Sequence, residues 1–560
     1  MSHGYWKDLL NILALETVGE LTNTTSSTFL HAPRKKRSRY HRRISKTGTP
    51  ASRIQASLLA DARSKAASSE IRRTVNTQSY ERLCRKLMDP KFRALFVAVA
   101  RLFTDQLLKD VHILTQLESL KADEDRMPLL KQLSLAGKWA PSPGASHDRV
   151  TNIATAIAEL IYASQAVSPY PSILKTSISD AERSHVLRSF YQRWFLTELR
   201  RVQCCPEPLM SANRWTEIKY TRVPSICMKN NKEHFFKHDP YGFEKYLIDV
   251  ESGKKTISGA TLLPHELVAQ AISTQMCGGS SKFPALQEMK RRQAEAEICV
   301  VESQWKTLIS NLREAGSIEN SIAICDVSGS MGSLFSKYNK HDIDPILPAI
   351  SLSLVLASLA KPPFNGGFIT FSARPQFVRL DLEKPLVKLV TEMSGSHWTM
   401  NTDFKAVFLN LLLPLAIKNK VKPEDMIKRL FVFSDMQFDA ASGKASGSNW
   451  ETNHDIIEKA YEAAGYEMPQ MVYWDLTAGS KTTREVESST KKGVAMMNGF
   501  SPAMLKVFMG EEEEATEWEN VDDDGETVTV VEKNEDQFNP INVMKKALMK
   551  KSFDRLVVVD

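Results

Sequence analysis

Apolar residues recur every third or fourth position through most of the first 315 residues, and gather in short, nearly continuous runs beyond. Residues 1–20 place Lys7, Asp8 and Glu16 among apolar positions, predicting an amphipathic helix and not a secretory leader. The stretch 79–120 predicts two helices parted at Asp89-Pro90, since proline cannot continue a helix from behind. Helical spacing resumes over 147–164, 180–202, 262–275 and, in a charged segment, 284–313. Past residue 318 the period changes. Runs rich in β-branched and aromatic residues at 321–326, 367–372, 429–435 and 469–476 predict strands, with helical stretches at 343–360, 403–418 and 452–465 between them. Strands alternating with helices form a parallel sheet covered on both faces. The pattern predicts an α + α/β chain: an α-helical region, residues 1–317, and a doubly wound parallel-sheet domain, residues 318–560. A last helix, followed by a strand in "RLVVVD", is expected at the C-terminal end.

Composition changes this picture little. The 560 residues are 42% hydrophobic and 25% charged, as in globular chains, and enough for more than one core. No apolar run reaches the roughly 18–20 residues a membrane span needs, so no membrane partner is expected. Seven cysteines, at 84, 204, 205, 227, 277, 299 and 325, show no CxxC spacing. They read as reduced thiols of an intracellular, cytoplasmic protein.

Charge is more informative. Residues 33–82 hold 14 Lys/Arg against three acids, and residues 511–536 hold 13 acids against one lysine. A basic exposed loop over 33–60 and an acidic, disordered insertion over 511–540 are expected. Arg34, Lys35, Lys36, Arg37, Arg39, Arg42 and Arg43 suit RNA phosphates, with Tyr40 and His41 available to stack on bases. A nuclear import signal and a plain solvated loop account for the same residues.

The densest chemistry lies in "CDVSGSMGS", residues 325–333, where the first strand ends. Ligands of open parallel sheets bind beyond the carboxyl ends of strands. No lysine follows these glycines as a phosphate loop requires, and Ser328 stands where a phosphatase-type second acid would be. Ser330 directly follows Gly329, which does not make GxSxG. Asp326, Ser328 and Ser330 fit a hard divalent cation better, because Mg²⁺ takes oxygen ligands in a tight shell. Other strand-end loops must complete it: Thr402 and Asp403, or Ser434 and Asp435.

Other polar groups have plainer readings. His147-Asp148 has no nucleophile beside it and reads as a helix cap at Ser146 or Asp148. His265-Glu266 is not HExxH, and Cys204-Cys205 reads as two core thiols. "GKWAPSPGASHD" and "SANRWTEIKYTRV" suit either a nucleic-acid surface or buried tryptophans with capping polar residues.

Asp326-x-Ser328-x-Ser330, then Thr402, then Asp435, resembles the DxSxS…T…D pattern of von Willebrand factor A (vWA) domains. That resemblance implies a metal-ion-dependent adhesion site. Asp326, Ser328, Ser330, Thr402 and Asp435 would surround Mg²⁺ or Mn²⁺, partly through water, leaving one position for an acidic group on a protein partner. The approach to the threonine, Thr399-Met400-Asn401, is bulkier than the Gly/Ser-rich approach usual there. "HGYWKDLLNIL", "LAGKWAPSPGASHDRVTNIATAIAELI", "ATLLPHELV" and "KPEDMIKRLFVFSDMQFD" resemble a family of uncharacterised plant, fungal and viral proteins that pair a helical region with a C-terminal vWA domain. Members carry further helices before "GYWKDLL"; if the helical region closes into a ring, the resemblance implies a copy that lacks part of it, through a truncated gene model or as a shortened paralogue. That family is in turn distantly similar to the Ro autoantigen (TROVE) proteins, which bind structured RNA. The expected whole is a HEAT-like helical region joined to a vWA domain: a non-enzymatic binding or scaffold protein with a metal-dependent acidic partner and an RNA-binding helical region. A protein-interaction module without RNA, or a metal-dependent phosphoryl-transfer enzyme, are the alternatives.

Overall fold

The computed structural model describes residues 5–21, 49–121, 125–164, 179–259, 261–276, 284–335, 338, 343–370, 375–395, 406–435, 448–476, 493–509, 517–521, 527–531 and 540–548. The chain divides into two compact units, Met1–Asn213 and Arg214–Asp560.

In the first unit, α1 (Trp6–Val18) precedes two long helices, α2 (Pro50–Leu87) and α3 (Pro90–Ser119). Both long helices start alike. Thr49 and Asp89 accept the N–H groups of Ser52 and Lys91 at 3.3 and 3.0 Å, and Pro50 and Pro90 fill the first turn, where an N–H has no partner. This start corrects the loop expected over 33–60. Residues 50–60 are helical, because a cap, a proline and an alanine-rich run outweigh the charge, and residues 33–48 lie outside the described residues. The helix expected over 147–164 is in fact two, α4 (Ser146–Thr151) and α5 (Ile153–Ala163). Asn152 divides them with φ +51°, a left-handed conformation that asparagine tolerates. The next helix, α6 (Asp180–Phe190), continues through a π-helical turn, Tyr191–Leu196, to Val202. Phe92, Phe96, Val99, Phe103 and Leu107 of α3 are buried at helical spacing in one core with Ile153, Ile157 and Ile161 of α5. Each such side chain contributes roughly 1.5–3 kcal/mol.

The second unit opens with α7 (Ser225–His238), α8 (Pro240–Glu251), α9 (Pro264–Met276) and α10 (Pro284–Glu314). Six strands follow: β1 (Ser321–Cys325), β2 (Gly367–Thr370), β3 (Phe377–Arg379), β4 (Arg429–Ser434), β5 (Gln470–Asp475) and β6 (Val494–Asn498). Their spatial order is β3-β2-β1-β4-β5-β6. All neighbours run parallel except β3, which lies antiparallel on β2, so the expected all-parallel sheet is mixed at one edge. Only three residues long, with two of its side chains exposed, β3 leaves no readable period.

Alternate strand residues feed two cores. Ala323, Phe431, Val472 and Trp474 face one shared with α9, α10 and α11 (Ile346–Leu359). Ile324, Val432 and Tyr473 face the other, shared with Phe408, Ile457 and Tyr461. In α11 every residue but Ser358 is buried. A helix apolar all round must be covered on every side, and α9 and α10 supply its outer cover. The compact unit therefore begins at Arg214, well before the change of hydrophobic period near 318.

Within the acidic stretch expected to be disordered, Glu517–Val521 and Thr527–Val531 pair as an antiparallel hairpin. The β-branched run "TVTVV" explains the second strand. The expected last helix spans Pro540–Leu548, and the strand expected in "RLVVVD" lies outside the described residues. Among the described residues, no helix is long and apolar enough to cross a membrane.

His265 opens α9 as a buried ring set edge-on to Phe500 at 5.2 Å. Burial pushes its pKa down to about 4 from 6.5. A depressed histidine contributes stability that is present above pH 6.5 and lost as pH falls through about 4. That displacement corresponds to about 3 kcal/mol. In chemical denaturation between pH 7 and 4, the wild type should lose that much more stability than His265→Phe. Parallel profiles for the two proteins would rule out this assignment.

Candidate metal centre

Strand β1 is buried throughout, and Asp326, the next residue, is 1% exposed. Its N–H donates to the Phe433 carbonyl at 3.0 Å, which keeps it in register beside β4. The connections from β1 and β4 leave in opposite directions, so the crevice between these two strands is the topological switch point of the sheet. Asp326 stands at its mouth.

The carboxylate is held from both sides. Oδ1 accepts the Ser328 N–H at 2.9 Å, turning the chain sharply, and Oδ2 accepts the Ser434 hydroxyl at 2.5 Å. A 3₁₀ turn, Gly329–Met331, follows, anchored by the buried Met331 side chain. It brings the Ser328 and Ser330 hydroxyl oxygens to 3.0 Å from each other. Gly332 then leaves the loop at φ +88°, where a Cβ would lie 2.7 Å from Asp344 Cγ. Only glycine lets the loop close on Asp344 in this way.

Burial raises the Asp326 pKa above its ordinary value, the Ser434 and Ser328 hydrogen bonds oppose that, and the charge of Asp435 adds to it. Asp435, directly after β4, is itself 5% exposed. A buried carboxylate beside a second one is an arrangement that a bound cation relieves. All the donors are oxygens, as Mg²⁺ and Mn²⁺ prefer. Among the described residues no three His, Cys, Asp or Glu side chains converge as a metal group. An ion here would depend on the serine hydroxyls and on water as well as on the carboxylates.

Of the residues expected from sequence, Asp326, Ser328 and Ser330 share one loop, with Ser434 bonded to the first. Thr402 and Asp403 lie outside the described residues, as do Arg34 to Arg43. Three groups at or near this edge were not anticipated. Asp344 is one. The others are Asp475 and Asn498, which pair in register with Ser434 across β4, β5 and β6. A signal for Asp475 exists in "VYWD", which ends in aspartate as "AICD" and "VFSD" do.

The remaining candidates take structural roles. His147 Nε2 lies 2.9 Å from Asn11 Oδ1, and its pKa is lowered by burial and by Lys7. Asp148 accepts the Gly144 and Ala154 N–H groups and pairs with Arg188, so it secures the start of α5 as well as the turn before α4. Trp139 has the ammonium groups of Lys7 and Lys138 within 5.6 and 5.2 Å of its ring centre. Trp215 stacks on His238 with centroids 4.4 Å apart. The six described cysteines are free thiols.

Two family profiles match the chain. One, described as a domain of unknown function (DUF2828), covers residues 1–318, and the other, a domain of unknown function (DUF7788), covers residues 320–548. An uncharacterized protein, L728, of Acanthamoeba polyphaga mimivirus is 29% identical over 427 residues, 74% of this chain and 63% of the viral protein. The chain thus spans less than two thirds of that relative's length.

Proposed function

This chain belongs to the DUF2828 family, and from that premise we propose that it is a non-enzymatic binding or scaffold protein whose sheet domain is of the vWA type. Asp326, Ser328 and Ser330, with Asp435 and Thr402, hold one Mg²⁺ or Mn²⁺ at a metal-ion-dependent adhesion site. The ion's open position takes a carboxylate from a protein partner. One observation carries this reading: a buried aspartate at the switch point fixes, through its own turn, two hydroxyls 3.0 Å apart. The strand order, with one antiparallel edge, supports it.

In this reading the helical region adds RNA contacts. Trp215 stacked on the exposed His238, with Lys219 and Lys237 exposed close by in sequence, supports this arm. The free thiols support a reducing compartment, the cytoplasm or the nucleus.

The test is a Mn²⁺ titration of the chelator-stripped full chain, followed by electron paramagnetic resonance. One ion per chain is expected, displaced by Mg²⁺, with its water signal changed by an added aspartate-containing peptide. A chain that takes up no Mn²⁺ at millimolar concentration rules out the site.

A further inference from the structure

A polar cleft lies in the first unit, remote in sequence from the aspartate loop. A cleft of about 330 Å³ opens between the last third of α2 and the α4–α5 segment. That volume falls at the lower end of small-molecule pockets, roughly 300–1,000 Å³. Asn76, Ser79 and Tyr80 enter it from one face of α2, and Arg149, Asn152 and Arg188 from the other side.

The two arginines are not equivalent. Arg188 is committed to the fold: its guanidinium bonds Asp148 at 2.7 Å, Asn152 at 2.8 Å and Thr155 at 2.7 Å. Arg149 is exposed, and its Nε donates to the Gly144 carbonyl at 2.6 Å. That bond fixes the plane of the guanidinium while leaving both terminal nitrogens clear of it. A guanidinium held in this way presents the fork that takes an oxyanion through two parallel bonds. The acid in the lining, Asp148, is paired with Arg188, so Arg149 leaves the cleft with excess positive charge.

The other wall supplies the rest of a ligand's needs. Tyr80 is 63% exposed, so much of its ring is open to stack on a flat partner. Asn76 and Ser79, one turn of helix from each other, offer an amide and a hydroxyl for ring or sugar polar groups. We infer that this cleft binds a small molecule carrying a phosphate beside a planar ring, the chemistry of a mononucleotide, with Arg149 on the phosphate and Tyr80 on the ring. The inference is independent of the metal centre.

Isothermal titration of the full chain with AMP, adenosine and inorganic phosphate tests it. AMP should bind, and adenosine and phosphate should each bind at least about tenfold more weakly, since each lacks half of the recognised chemistry. Arg149→Gln should weaken AMP about 10- to 100-fold, the range for losing charge-assisted hydrogen bonds. Arg149→Lys should also weaken it, because an ammonium makes no fork. Tyr80→Ala should cost about tenfold or more through lost stacking. Both side chains are exposed, so thermal melts of the variants should overlay the wild type. AMP failing to bind at millimolar concentration, adenosine binding as tightly as AMP, or unchanged AMP affinity in Arg149→Gln would each overturn the inference.

Discussion

Asp326→Asn should weaken Mn²⁺ binding by more than about 100-fold, beyond the 10- to 100-fold range seen when only a supporting outer-shell group is removed. Asparagine preserves the shape. Its carbonyl oxygen still accepts the Ser328 N–H, and the Ser434 hydroxyl, now donating to Asp326 Oδ2 at 2.5 Å, turns to accept from the new amide. What disappears is the negative charge that burial and Asp435 already disfavour. The metal-free variant should therefore unfold no more easily than the metal-free wild type. The wild type alone should gain stability from the ion, about 2.7 kcal/mol at a hundredfold excess over Kd. Paired melts with Mg²⁺ and with a chelator read both effects. A variant that gains as much from Mg²⁺ as the wild type would remove Asp326 from the ligand set. A variant that unfolds far more easily without metal would make Asp326 a structural acid.

That residue also shows how far the sequence carries. Asp326 was legible because a fully buried strand must end where its apolar run ends, and the residues just past a parallel strand face the ligand edge. Ser434 and Asp435 were legible for the same reason. Asp475 carries the same signature in "VYWD", but nothing in one sequence says that β5 lies beside β4 and not at the far edge. Strand order is set by which crossovers pack, and that information is distributed over the whole domain. The strand β6, "VAMMN", is hard to read because methionine and alanine carry no β preference. The period change near 318 located the sheet, yet the packed unit starts at Arg214. The clue was in "ILPAISLSLVLASL", a helix with no polar face to turn to solvent. Such a helix demands a further layer, and the preceding helices are the nearest source of one.

Asp148→Asn should cost the first unit about 3 kcal/mol, the lower end of the range for breaking a buried ion pair. Its side chain is 2% exposed and that of Arg188 is 24% exposed, so the arginine can recover some hydration, which argues for the lower end. The loss is more than one bond. Asp148 Oδ2 receives both the Gly144 N–H at 2.7 Å and Arg188 at 2.7 Å, while Oδ1 receives the Ala154 N–H at 2.9 Å. An asparagine amide placed at Oδ2 would point donors at donors, and placed at Oδ1 it would face the first turn of α5. In the first case the Gly144 N–H and the arginine lose their acceptor, and in the second the Ala154 N–H is left unpaired in a buried place, which costs about 1–3 kcal/mol by itself. A double-mutant cycle with Arg188→Met separates the charge from the caps. Removing the arginine from the asparagine variant should recover the part due to an uncompensated cation, and the part due to the unpaired N–H should remain. Denaturant midpoints for the four proteins give the numbers. A loss under about 1 kcal/mol in Asp148→Asn would mean that the network is incidental, and the acid beside His147 would then need a role other than holding α4 and α5 together.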